Sequence, residues 1–160
     1  MFEADEHGVF ARVAASTTRR LLGYSVLLFL GALLVYLPLS QPSSVLWTIF
    51  MVGLGALVFW LAERMRAGTR VALELTETEL RESTGRVLAR LDEIASVDRG
   101  AFSHKPSNGF TLILKSKKPR AWAPGLWWRL GRRVGVGGVT SAGEAKFMAE
   151  QISLRIASES

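Results

Sequence analysis

Residues 21–39, LLGYSVLLFLGALLVYLPL, and residues 45–62, VLWTIFMVGLGALVFWLA, form two runs without a charged side chain. At about 1.5 Å per helical residue, each run nearly matches a hydrocarbon core of roughly 30 Å. A buried helix of a soluble bundle would carry a polar face at helical spacing, and neither run has one. Between them PLSQPSS, residues 38–44, is uncharged and holds two prolines, the chemistry of a chain reversal. The pattern predicts a hairpin of two transmembrane helices over 21–63, preceded by an N-terminal segment, 1–20. Gly53 and Gly55, with Gly31 opposite them, would let the two helices approach closely. A secretory signal does not fit the first run: Glu3, Asp5 and Glu6 stand in the leading segment, and no small-residue cleavage pattern follows the apolar core.

From Thr69 the period changes. Val71, Leu73 and Leu75 alternate with Ala72, Glu74 and Thr76, the mark of a half-buried strand. TETEL (76–80) supplies a turn and STG (83–85) a second one before RVLARL (86–91), so short strands joined by tight turns are indicated. GFTLILK (109–115) alternates again and follows the turn-forming SHKPSNG (103–109). The sum is an antiparallel meander of about six or seven short strands. The last segment switches to a helical period: Ser141 and Glu144 have capping-box spacing, and Ala145, Met148, Ala149, Ile152 and Ile156 fall on one face. Phe147 and Leu154 lie outside that stripe.

Length changes this picture little: 160 residues and 17.6 kDa allow one modest domain beside the hairpin. Charge changes it more. The net charge is +6 and the isoelectric point near 10.3. Arg12, Arg19 and Arg20 precede the first apolar run and Arg64, Arg66 and Arg70 follow the second, while the loop between them has no basic residue. Basic flanks favour the cytoplasmic side, so both termini and residues 69–160 are expected there. Tyr24, Tyr36, Trp47 and Trp60 fall near the expected ends of the spans. No cysteine is present, which removes disulfides, thiolate metal sites and cysteine nucleophiles.

ALELTETELRESTG (72–85) and RLDEIASV (90–97), set between the hairpin and the C-terminal helix, resemble the bacterial pleckstrin-homology-like membrane proteins. The resemblance covers 69–157 for the domain and 21–62 for the anchor. It implies an α+β membrane protein of the bacterial inner membrane: a two-helix transmembrane hairpin followed by a small antiparallel sheet or barrel closed by a C-terminal helix. The stretch PRAWAPGLWWRLGRRVGVGG, residues 119–138, departs from it as a long insertion before the helix, rich in tryptophan and arginine. The family has no common ligand, so it assigns no functional residue.

Motifs for catalysis are thin. A phosphate-binding loop needs lysine after its second glycine, because lysine reaches the terminal phosphates; after Gly138 and Gly143 that position is Glu144. The dinucleotide fingerprint breaks at Thr140 after Gly135 and Gly137, so turns before the helix account for these glycines better. His7 and His104 are the only histidines and lie far apart in sequence. Asp92 and Glu93 are adjacent and would face opposite sides of a strand. The expectation is a protein with no catalytic residue, metal or cofactor.

What remains is a basic field. Between Asp98 and Glu144 there is no acid, while Arg99, Lys105, Lys115, Lys117, Lys118, Arg120, Arg129, Arg132 and Arg133 are all positive. Trp122, Trp127 and Trp128 are interleaved with them. AERMRAG (62–68) joins this part to the second helix, so it stays near the cytoplasmic leaflet. Each basic side chain there contributes about 1 kcal/mol of attraction to anionic lipid. Lys115, Lys117, Lys118, Arg120, Trp122, Trp127, Trp128, Arg129, Arg132 and Arg133 are therefore the candidates for binding a partner membrane protein or complex. Such a protein would be a non-catalytic accessory or assembly subunit. Anionic lipid headgroups, in a lipid-binding or envelope-stress module, are the alternative for the same surface. Alternatively, the KSKK run is only a solvated strand end, and one of the adjacent Trp127 and Trp128 belongs to the core. The tie to a membrane argues against nucleic acid, which would use the same residue types.

Overall fold

The computed structural model describes residues 4–6, 8–99 and 109–158. Two long helices, α1 (Thr17–Ser40) and α2 (Val45–Gly68), form an antiparallel hairpin. Both are long and apolar enough to cross a membrane. Only 11% of each apolar window is buried within the chain, whereas a core helix of a soluble protein would be mostly covered. The helices touch where small residues let them. A Cβ built on Gly55 would stand 2.7 Å from Val35 Cγ2 and 3.1 Å from the Gly31 carbonyl, and one on Gly31 would meet the Phe59 ring. Gly53, expected to share this role, faces open space. The reversal is also shorter than the sequence suggested. Helix α1 runs through Pro38, and Ser44 caps α2 by accepting the Trp47 N–H at 3.3 Å. At the other end α2 continues to Gly68, since Ala, Glu, Arg and Met are strong helix formers.

The rest is two antiparallel sheets and a helix. Strands β1 (Ala11–Val13), β2 (Leu73–Leu75), β3 (Glu79–Glu82) and β4 (Val87–Arg90) form one sheet in that order. A single 3-10 turn, Leu91–Glu93, leads to β5 (Ile94–Asp98), which pairs with β6 (Phe110–Ala123), and β6 with β7 (Trp127–Val136). Asp92 and Glu93 lie in this turn rather than on a strand. Helix α3 (Ala142–Ser158) buries Ala145, Met148, Ala149 and Ile152, the stripe its spacing predicts. Phe147 and Ile156 are half-buried at its margin and Leu154 is exposed. The core between sheets and helix includes Leu73, Leu75, Leu80, Ile94, Phe110, Leu112, Val134 and Val136.

The N-terminal segment, expected to stand apart from 69–160, supplies β1 to the sheet. Val13 pairs with Leu73 and Ala11 with Leu75, and both β1 residues are buried. Beyond β1 the chain stays clamped. The Ser16 N–H donates to the Val139 carbonyl at 2.7 Å, and Ala15 bridges Thr140. Glu144, expected to close a capping box with Ser141, instead accepts the Ala14 N–H at 3.0 Å. The helical hairpin is therefore inserted between the first two strands of one sheet.

The expected insertion 119–138 is mostly strand. It forms the end of β6 and all of β7, a hairpin whose register shifts between Ile113 and Lys118 and again between Lys118 and Ala121. The hairpin curls back on itself: the Leu126 carbonyl accepts the Gly137 N–H at 2.9 Å, and the Gly125 carbonyl accepts the Val139 N–H at 3.0 Å. Gly138 makes this close approach possible, with φ +121° and space for a Cβ only 2.7 Å from the Gly125 carbonyl oxygen.

Candidate functional site

The ten candidate residues separate once β6 and β7 are in place. Trp127 is core: it is 1% exposed, and its Nε1–H donates to Glu82 Oε1 at 2.7 Å. Arg86 stacks over its ring at 5.0 Å. Its neighbour Trp128 points the other way, as adjacent strand residues must. The Trp128 indole lies across Gly135, where an added Cβ would overlap it.

Four of the cations are held within the molecule. Lys115 Nζ donates to the Asp92 carbonyl at 2.7 Å, and Lys118 Nζ pairs with Glu93 Oε1 at 2.6 Å. The Lys118 contact lowers the Glu93 pKa below its ordinary value. Arg129 donates to the Pro119 carbonyl at 2.8 Å and to the Leu88 carbonyl at 2.9 Å. Burial, helped by the nearby Arg86, lowers the Arg129 pKa. Arg132 donates to the Leu114 carbonyl at 2.9 Å. These side chains satisfy backbone carbonyls and carboxylates of the chain's own strands and turns. Of the other basic positions, Arg99 pairs with Glu150, and Lys105 lies outside the described residues, as do both histidines.

Lys117, Arg120 and Arg133 remain exposed, and their side chains have no hydrogen bond or ion pair among the described residues. Arg120 lies on a face with Trp122, Trp128 and Leu130. Trp122 pairs directly with Trp128 across the hairpin, and alternation brings Arg120 and Leu130 to the same side. Trp122 is 53% and Leu130 59% exposed, which is unusual for large apolar side chains on a sheet. Together with Ala121 and Arg129 they line an open groove of about 530 Å³. Leu130 carried no signal in the sequence, because its neighbours' charges and Gly131 hide the alternation.

The hairpin tip sets where this face sits. A Cβ on Gly68, the last residue of α2, would lie 3.2 Å from the Pro124 carbonyl oxygen, and one on Gly125 would lie 3.4 Å from Met65 Cγ. Trp122 is two residues from Pro124, so the apolar face begins beside the base of α2. Among the described residues no group of three or more His, Cys, Asp or Glu is placed to hold a metal ion. The site can offer an aromatic and aliphatic surface edged by guanidinium and ammonium groups. No protein-family model matches the chain, and searches of curated proteins and of solved structures find no match.

Proposed function

We propose that this chain is a non-catalytic accessory subunit of the bacterial inner membrane, with both termini cytoplasmic and a pleckstrin-homology-like domain that docks on another integral membrane protein. The α1–α2 hairpin is its anchor. The two antiparallel sheets with a C-terminal helix agree with the architecture that the family resemblance implies. The observation that carries the reading is the face formed by exposed Trp122 and Leu130 with half-buried Trp128, beside the base of α2. Aromatic residues and arginine dominate the energetic centres of protein interfaces. Most of the basic field is engaged internally, which weakens attraction to a lipid surface by charge alone and leaves a mixed apolar and cationic patch. The free Lys117, Arg120 and Arg133 suit a partner with an acidic margin.

Photo-crosslinking in native membranes tests this. A benzoylphenylalanine at position 122 or 130 of the full chain should give one stoichiometric adduct with a membrane protein, and Arg120→Glu should diminish it several-fold. The same group at Leu154, exposed on α3, should give none. Adducts with lipid alone, or the same adducts from position 154, would sink the docking reading.

A further inference from the structure

A second cavity, of about 260 Å³, opens between the bases of α1 and α2. Arg20, Arg66 and Arg70 line it, together with Thr17, Leu21 and Tyr24. Here the charges do not cancel. Glu63 is the nearby carboxylate and is fully engaged: Tyr24 Oη donates to one oxygen at 3.0 Å, and Arg66 donates to the other through Nε at 3.1 Å and Nη2 at 2.9 Å. Three guanidinium groups against one carboxylate leave a local charge of +2. The Arg20 and Arg70 side chains have no hydrogen bond or ion pair among the described residues. The Ser16 side chain makes no capping hydrogen bond at the start of α1.

The surroundings narrow the ligand. Leu21 lines the cavity and is 65% exposed, and Leu28, about two turns further along the same face of α1, is exposed as well. A ligand at the arginines would therefore have an anionic head in the cavity and hydrocarbon along the helix. Guanidinium groups bind phosphate in paired, charge-assisted hydrogen bonds, and basic pockets between membrane helices at their cytoplasmic ends suit acidic headgroups. We propose that this cavity binds the phosphate of an acidic phospholipid. The site rests on the reading of α1 and α2 as membrane-spanning and is separate from the Trp122 face. Arg66 is held in place by Glu63, and Arg20 on α1 and Arg70, two residues past the end of α2, close on the phosphate, so the lipid bridges the hairpin at its base.

The test uses the full chain in detergent, with bound lipid counted by native mass spectrometry during titration with dioleoylphosphatidylglycerol. The wild type should retain one molecule, and dioleoylphosphatidylcholine should bind at least about tenfold more weakly, as expected for a site reading net charge. Arg20→Gln with Arg70→Gln should weaken phosphatidylglycerol binding by about tenfold or more, while Arg64→Gln, whose side chain stacks on Trp60 outside the cavity, should leave it unchanged. If the double variant is misfolded by circular dichroism, Arg70→Gln alone decides, because that side chain is exposed. Millimolar inorganic phosphate should fail to displace the lipid; displacement would assign the site to a free phosphate and overturn the proposal. Equal retention by the glutamine variants would overturn it too. Extraction of the wild type from native membranes by alkaline carbonate would instead overturn the membrane-spanning reading beneath it.

Discussion

Trp127 and Glu82 form a polar contact inside an apolar core. The indole N–H meets one carboxylate oxygen at 2.7 Å, the Thr84 hydroxyl donates to the other at 3.0 Å, and Glu82 is only 6% exposed. A buried acceptor deprived of its donor retains its desolvation penalty. Trp127→Phe should therefore destabilise the domain by about 2 kcal/mol, on the order of 10 °C in melting temperature. Glu82→Gln in the same background should recover part of that loss. Additive effects of the two substitutions, followed by thermal circular dichroism of the full chain, would refute the coupling. At this scale the sequence revealed half of the site. It marked 119–138 by its tryptophans and allowed one of the adjacent pair to face inward, which strand alternation explains. It could not show that Lys115, Lys118, Arg129 and Arg132 are engaged, because their acceptors lie 10 to 42 residues away and include backbone carbonyls.

Among the elements, the helices were the most legible, since an unbroken apolar run needs no long-range information. The β6–β7 hairpin was not. Its two register shifts interrupt the alternation of buried and exposed positions, and Pro119, Pro124 and Gly131 read locally as loop. The curl depends on pairing of 125–126 with 137–139, which no local pattern encodes. Contact within the helical hairpin offers a direct check on its geometry. Gly55→Leu should force α1 and α2 apart at Val35 and the Gly31 carbonyl, with a loss of about 1–3 kcal/mol. Gly53→Leu, facing open space, should change stability by less than about 0.5 kcal/mol. Thermal melting of the full chain in detergent distinguishes them, and equal behaviour of the two variants would contradict the observed helix contact.

At the scale of the whole molecule, the chain leaves the four-stranded sheet after β1, runs out along α1, returns along α2 and re-enters beside its point of departure. The Val13–Leu73 pair spans this excursion, and the 14–16 segment is held by residues 139–144. A three-residue strand separated by two apolar helices from its partner leaves no local signature, which is why 69–160 looked self-sufficient. Without β1, that fragment would expose one edge of β2 and uncover Leu73 and Leu75, the kind of edge that pairs with other chains. Residues 69–160 expressed alone should therefore aggregate or give poorly dispersed amide spectra. Joining residues 8–16 to 69–160 through a short Gly/Ser linker replaces only the helices, whose bases lie together around Thr17 and Arg70. That fusion should be monomeric, with dispersed amide resonances and protected amides at Leu73 and Leu75. If 69–160 alone gives the same spectrum and protection, β1 is dispensable and the helical hairpin is merely appended to the sheets. If only the fusion folds, displacement of α1 relative to α2 must strain β1, its pairing with β2 and the start of α3, a direct mechanical link between the helical hairpin and the sheets.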